Sequence, residues 1–258
     1  MTVWYMNGAG NDFMVIDARG KILDFSKLAK ELCAMTGADG FMAVDDSQVA
    51  DFRLHFYNAD GSRGEMCGNG SRCICRFAYD NGIAPEAMTV QTDAGIIYGW
   101  RLNESDYRVK LNNPGILDLN RKDNAAYVEI GAPGVPHGVV EIPGLTWDMA
   151  ASLRQQGVSL RYDPAFPKGA NINFYCLTAP GEATVLTYER GVEDYTLACG
   201  TGCASIAVTL WKQGRLPGCR LTAHNKGGTL ATTLTAQDGL VTEIFQEGPT
   251  QVSKIYEL

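Results

Sequence analysis

Residues 66–71 read Met66-Cys67-Gly68-Asn69-Gly70-Ser71, and residues 198–203 read Ala198-Cys199-Gly200-Thr201-Gly202-Cys203. Both stretches are C-G-x-G turns. Each is followed by a helical pattern, over 69–79 and 201–213, ending near Gly82 and Gly214, and each is preceded by a strand-like segment and a polar turn. The second copy begins about half a chain after the first. Two related halves, each presenting one such turn, account for that spacing. Their boundary is expected at Asn112-Asn113-Pro114-Gly115, where turn formers cluster.

The rest of the chain fits around these two turns as short strands and a few helices. Phe52, Leu54 and Phe56 alternate as in a half-buried strand, which places His55 on the solvated face. Similar segments run over 107–111, 126–130, 183–188, 230–234 and 240–245, punctuated by Asp60-Gly61, Asn81-Gly82, Asp238-Gly239 and Pro143-Gly144. Phe25, Leu28, Ala29 and Leu32 follow the helical period, with Asp24 as cap and Gly37 at the stop; a further helix is expected over 147–156, stopped by Gly157. The order is that of an antiparallel α+β fold, not a regular βαβ alternation.

Composition narrows the function. The 258 residues carry 22 Lys and Arg against 29 Asp and Glu, a net charge of −7. That balance argues against nonspecific nucleic-acid or anionic-membrane binding, which needs a cationic excess. The first residues show no basic n-region followed by an apolar stretch, and no run approaches a membrane span, so a cytoplasmic protein is expected. In that reducing compartment the eight cysteines are thiols, and any that matter act as thiolates or metal ligands. There is no phosphate-binding G-x-x-x-x-G-K-[ST] loop and no dinucleotide G-x-G-x-x-G after a strand. The sequence thus gives no positive sign of a nucleotide or dinucleotide site, which leaves the chemistry to side chains.

A helix N-terminus presents unpaired N–H groups and partial positive charge, and glycines let a ligand approach that backbone. Each C-G-x-G turn is thus a candidate carboxylate cradle carrying a sulfur whose pKa the same field can lower. Two such turns holding one small carboxylate would place a sulfur on each side of a carbon. One would remove a proton and the other return one to the opposite face, inverting the centre. This requires one thiolate and one thiol at the same time. His137 and Glu189 are the candidate partners of the two cysteines.

At these residues the sequence resembles the diaminopimelate epimerase family, cofactor-independent isomerases of lysine and cell-wall biosynthesis. Four segments carry the resemblance, which spans essentially the whole chain: Met6-Asn7-Gly8-Ala9-Gly10-Asn11-Asp12-Phe13; Asn58-Ala59-Asp60-Gly61-Ser62 with Cys67-Gly68-Asn69-Gly70 and Arg72; Pro136-His137; and Glu189-Arg190-Gly191 with Ala198-Cys199-Gly200-Thr201-Gly202. It implies two pseudo-symmetric domains, each a β-barrel-like antiparallel sheet around a central helix: residues 1–113 carrying Cys67, and residues 114–247 carrying Cys199, with residues 248–258 returning to the first. It implies an active site in the cleft between them, with Cys67 and Cys199 as the acid/base pair, His137 beside Cys67 and Glu189 beside Cys199. The backbone of Gly68, Asn69, Gly200 and Thr201 would hold the reacting carboxylate. Asn11, Asn58, Asn171, Glu189 and Arg190 would contact substrate. The partner so implied is a small amino acid, with neither nucleic acid nor membrane, and the assembly a homodimer.

The chain departs from the family pattern at three places. Val135 precedes Pro136-His137 where Asn is common, Gly40 replaces a Gln of some members, and Tyr195 stands where Glu is usual, in a loop one residue longer than in many members. These departures leave room for a racemase of another amino acid using the same two cysteines. A thiol-based metal protein is a third reading, drawing on Cys67, Cys73 and Cys75 with His137, although C-x₅-C-x-C is not the usual zinc spacing.

Overall fold

The computed structural model describes residues 1–64 and 67–258; Glu65 and Met66, the latter opening the first C-G-x-G stretch, lie outside the described residues. The chain forms two compact units, Met1–Lys110 with Glu247–Leu258, and Leu111–Gln246. The first contains β1 (Thr2–Gly8), β2 (Asn11–Asp17), α1 (Phe25–Thr36), β3 (Gly40–Asp45), β4 (Phe52–Asn58), α2 (Gly68–Asp80), β5 (Ala87–Thr92), β6 (Gly95–Arg101) and β7 (Asp106–Leu111). The second contains β8 (Pro114–Lys122), β9 (Ala125–Gly131), β10 (Gly134–Glu141), α3 (Ala150–Arg161), β11 (Asn171–Ala179), β12 (Glu182–Glu189), β13 (Asp194–Thr196), α4 (Gly200–Lys212), β14 (Arg220–Asn225), β15 (Gly228–Gln237) and β16 (Leu240–Pro249). The last strand, β17 (Gln251–Glu257), lies antiparallel to β1 in the first unit.

Both units run through the same sequence of pairings. In the first, β1–β2 is antiparallel, β2–β3 parallel with α1 between them, β3–β4 antiparallel, and β4–β5 parallel with α2 between them. In the second, β9–β10, β10–β11 across α3, β11–β12 and β12–β14 across α4 repeat that order. The sheets are therefore mixed, not purely antiparallel as hairpin turns and alternation suggested. Parallel neighbours need a long crossover, and here each crossover is a helix. The sheet wraps a central helix in each unit: α2 touches β1, β2, β3 and β6, and α4 touches β8 to β11, β14 and β15. Nine of the 13 residues of α4 are buried, as a helix enclosed on most sides requires.

A second helix covers the outer face of each sheet. In the first unit Ala29, Leu32 and Cys33 of α1 pack with Met14, Ile16 and Phe41; in the second, Leu153 and Leu160 of α3 pack with Phe174, Leu186 and Tyr188. Asp24 caps α1 by accepting from the Lys27 N–H at 3.0 Å, and Gly37, at φ 75°, closes it with an N–H bond to the Cys33 carbonyl. Asp24→Ala is expected to lower stability by about 1 kcal/mol, read as a shift in the urea midpoint at constant slope.

Two local expectations are corrected. The helix over 147–156 does not stop at Gly157: a 3₁₀ turn at Trp147–Met149 leads into α3, which continues to Arg161. A Cβ on Gly157 would stand 3.2 Å from Cγ of Tyr188, so this glycine marks close approach of helix to sheet. His55 is not on a solvated face. It is 9% exposed, its Nε2 lies 3.1 Å from Asp45 Oδ2, and its ring lies 4.7 Å from that of Phe25, because α1 covers that face of β4.

Candidate functional site

Cys67 and Cys199 are the N-cap residues of α2 and α4, two helices of 13 residues each. Their backbones nearly coincide, with φ −112° and ψ 124° at Cys67 and φ −125° and ψ 110° at Cys199, and neither side chain caps its helix. The Cys67 carbonyl accepts the Ser71 N–H at 2.8 Å and the Cys199 carbonyl the Cys203 N–H at 3.0 Å. The first turns of both helices thus begin at glycine and leave their leading N–H groups for a ligand.

In the first unit Cys67 is partly exposed. Asn69 is 2% exposed; its Nδ2 donates to Asn11 Oδ1 and its Oδ1 accepts from Arg72 Nη2, both at 2.8 Å. Asn11 in turn donates to Asp39 Oδ2, which also accepts the Asp12 N–H at 2.9 Å. The structure therefore joins Asn11 and Asn69 to each other. Asp39, which motif reading passed over, anchors both the Asn11 amide and the Asp12 backbone. Asn58 is exposed and donates to Ser62 Oγ at 2.9 Å within its own turn. Gly40 is explained by packing, since a Cβ there would stand 2.6 Å from Cε2 of Phe56.

In the second unit Cys199 is only 6% exposed. Burial, reinforced by the nearby Glu189 carboxylate, pushes its thiol well above the usual range; the Gly202 N–H and the Thr201 hydroxyl pull the other way and do not prevail. At this cysteine burial acts against the lowering expected at a helix start. The Cys199 sulfur lies 3.7 Å from Thr201 Oγ1. A Cβ on Gly200 would stand 2.8 Å from Gln246 Nε2, and that amide donates to the Gly200 carbonyl at 2.6 Å. Gln246, unflagged by any motif, closes the back of this turn.

His137 on β10 is fully buried and pairs with Asn171 across the parallel β10–β11 ladder. Burial, with Arg190 as a lesser cause, pushes its imidazole down to about 3 and keeps it neutral. Asn171 Oδ1 accepts the Arg190 N–H at 2.8 Å, fixing the backbone next to Glu189, while the Arg190 guanidinium donates to the Lys168 carbonyl at 3.1 Å. Tyr195 on β13 sets its ring edge against Tyr188 at 5.5 Å, so this departure from the family pattern serves packing over α3. His137, Asn171, Glu189, Arg190, Cys199, Gly200 and Thr201 all belong to the second unit, and Asn11, Asn58, Cys67, Gly68 and Asn69 to the first.

Among the described residues, no cluster of three or more His, Cys, Asp or Glu side chains is arranged to hold a metal ion. Cys73 and Cys75 are fully buried on α2; a Cβ on Gly8 would lie 2.9 Å from Cys73 Sγ, and the Cys75 sulfur abuts Gly99 in the same way. Burial pushes both thiols up to about 12, so they pack as apolar groups. No helix among the described residues is long and apolar enough to cross a membrane.

Comparison with known proteins bears on the fold and the family. Among solved structures, the fold resembles a phenazine biosynthesis protein of the PhzF family from Bacillus anthracis, with a TM-score of 0.74 at 14% identity, covering 100% of this chain and 98% of the other. It also resembles a probable proline racemase from Agrobacterium radiobacter, with a TM-score of 0.69 at 17% identity, covering 100% and 92%. At such identities these likenesses show the fold alone. Sequence similarity goes further. A diaminopimelate epimerase from Flavobacterium psychrophilum is 32% identical over 257 residues, covering 97% of each chain, and one from Aquifex aeolicus is 34% identical over 276, covering 100% of this chain and 96% of the other. The family model for diaminopimelate epimerase matches residues 3–113 and 131–252, and the chain belongs to that family.

Proposed function

We propose that this enzyme is an isomerase that interconverts L,L- and meso-diaminopimelate by 1,1-proton transfer between two cysteines, in lysine and peptidoglycan-precursor biosynthesis. One observation carries the proposal: in a chain of this family, a cysteine stands at the same backbone position, the glycine-led start of the central helix, in both units. In the forward direction the Cys67 thiolate takes the α-proton; the Cα–H pair is left on the carbon and delocalises into the carboxylate. The Cys199 thiol then gives its proton to the opposite face of Cα. The enzyme ends as a Cys67 thiol and a Cys199 thiolate, set for the reverse reaction. The burial that pushes the Cys199 thiol up supports its assignment as the proton donor at rest.

The N–H groups of Gly68, Asn69, Gly200 and Thr201 are assigned to the reacting carboxylate, where they stabilise the charge that builds up as the proton leaves. Arg190, with Asn171, Asn11 and Asn58, is assigned to the distal amino-acid end, a carboxylate matched to guanidinium and amide donors. Glu189 is assigned to Cys199 and His137 to Cys67. The same reading places the enzyme in the cytoplasm, as a homodimer acting on a free amino acid.

Turnover of L,L-diaminopimelate by the purified enzyme in D₂O, followed by chiral separation, tests the proposal. The expected result is meso product with deuterium at the inverted carbon. Inversion of a different L-amino acid, with none of diaminopimelate, would transfer the mechanism to another substrate. No inversion of any amino acid would overturn the reading.

A further inference from the structure

The repeat between the units identifies a residue outside the cysteine motifs. Phe13 pairs with Gly40 and Gly40 with Asn58; in the second unit His137 pairs with Asn171, which stands opposite Glu189 by the rung Ile172↔Tyr188. Counting along the same ladders, Met42 pairs with Phe56 in the first unit where Asn173 pairs with Thr187 in the second. The second glycine of each C-G-x-G turn abuts the same position: a Cβ on Gly70 would meet Met42 Sδ at 3.4 Å, and a Cβ on Gly202 would collide with Asn173 Oδ1. The trio Phe13, Met42 and Phe56 is thus replaced by His137, Asn173 and Thr187.

The first unit shows that apolar side chains suit this place in the fold. A buried polar trio there must offset its own desolvation, and packing gives no reason to keep it. His137 and Asn173 are fully buried and Thr187 is 2% exposed. Asn173 Nδ2 lies 3.0 Å from the Gly138 carbonyl, 3.2 Å from the Asn171 carbonyl and 3.1 Å from His137 Nδ1. Its Oδ1 accepts the Thr187 hydroxyl at 3.0 Å. The amide cannot be reversed, because its oxygen would then face two carbonyl oxygens. The two hydrogens of that N–H₂ are shared among three acceptors, and an Nδ1–H would point at an amide nitrogen that has no lone pair to accept it, which favours the neutral ring with its hydrogen on Nε2. That Nε2 is buried and has no hydrogen-bond partner among the described residues.

We propose that Asn173, oriented by Thr187, is a positioning residue that locks His137 in the Nε2–H tautomer, so that His137 acts as a neutral hydrogen-bond donor during proton transfer. A donor at that nitrogen stabilises a developing thiolate or enolate; a ring with its hydrogen on Nδ1 would present a lone pair instead and destabilise either. The catalytic part of this proposal rests on the isomerase reading above, whereas the tautomer does not.

The test uses the intact protein labelled with ¹⁵N in its three histidines, His55, His137 and His224, each assigned by the signal lost in a single His→Gln variant. Long-range nitrogen–proton correlation spectra are expected to show His137 with an unprotonated Nδ1 and a protonated Nε2. A protonated Nδ1 in the native enzyme would overturn the proposal without any variant of Asn173. In Asn173→Asp a carboxylate oxygen faces Nδ1, and the hydrogen is expected to move there, with kcat falling by about 10²-fold or more and KM changing far less. An unchanged tautomer in folded Asn173→Asp would also overturn it. Where that variant does not fold, Thr187→Val removes only the hydroxyl that orients the amide, and is expected to give a mixture of tautomers; a pure Nε2–H form there counts against the proposal. Native enzyme with the expected tautomer but no activity on any amino acid would remove the isomerase reading and leave the positioning of the ring standing.

Discussion

Cys199→Ala is expected to lower turnover of L,L-diaminopimelate by about 10³-fold or more, with the fold retained. Cys203, the next cysteine along α4, is fully buried one helical turn further on and is not placed to stand in for it. Retention of the fold follows from the geometry of the cap. The Cys199 side chain makes no capping bond to its helix, and the helix is anchored through the Cys199 carbonyl, which alanine keeps. The expected stability loss, from one small buried sulfur, is about 1 kcal/mol, so circular dichroism and the melting transition should stay close to those of the parent. Cys67→Ala is expected to behave alike. Each variant keeps one base, and is therefore expected to exchange the α-hydrogen of one stereoisomer only, without inversion. Turnover within tenfold of the parent in either variant would show that one sulfur suffices, and the two-base mechanism would fall. Cys73→Ala is the contrast: its thiol is fully buried against Gly8, so it is expected to affect stability while leaving the rate per folded molecule unchanged.

The two cysteine turns were legible because a glycine pair after a cysteine, repeated at half-chain spacing, is a local pattern that packing alone does not produce. The α1 cap was legible for the same reason: Asp24 and Gly37 act within a few residues of the chain. Most strands legible from alternation have one solvated face; the exception is 126–130, in β9, all seven of whose residues are buried. Five of the six residues of β3 are buried, because helices lie on both sides of that sheet. Such a strand shows no period of two, and the parallel β2–β3 ladder it belongs to is not legible from the sequence. His55 was misplaced by the same cause. Gly157 was read as a stop because composition cannot distinguish a glycine that ends a helix from one that lets a helix approach Tyr188. In the site, Asp39, Asn173, Thr187 and Gln246 carry no spacing signature; each gains its role from a neighbour brought in by sheet register. The helix start at Cys199 is legible from sequence, but the burial that acts against its field depends on the whole unit.

Gly202→Ala and Gly70→Ala, the same substitution at equivalent positions of the two units, are expected to differ sharply in effect. Within a helix, alanine is intrinsically better than glycine by about 1 kcal/mol, partly because it restricts the unfolded chain. At Gly70 the new methyl would meet Cζ of Phe13 at 3.3 Å and Sδ of Met42 at 3.4 Å, a tight fit against a ring edge and a flexible thioether. A shift of a few tenths of an ångström relieves it, and the net change is expected to stay within about 1 kcal/mol of zero. At Gly202 the methyl would overlap Asn173 Oδ1 and stand 3.1 Å from Cγ of that residue. Asn173 cannot retreat without loosening its bonds to Thr187, His137 and the Gly138 carbonyl, all of them buried. Overpacking costs about 1–3 kcal/mol and each buried polar group left unpaired costs a similar amount, so the intrinsic helical gain is outweighed and a net loss of about 2–4 kcal/mol is expected. Urea unfolding of both variants measures the difference. The folded fraction of Gly202→Ala is also expected to lose activity, since the displaced amide no longer orders His137, whereas folded Gly70→Ala keeps the rate. Equal stabilities for the two variants would mean that the Asn173 amide moves freely, and the rigid seat argued for the histidine would be lost with it.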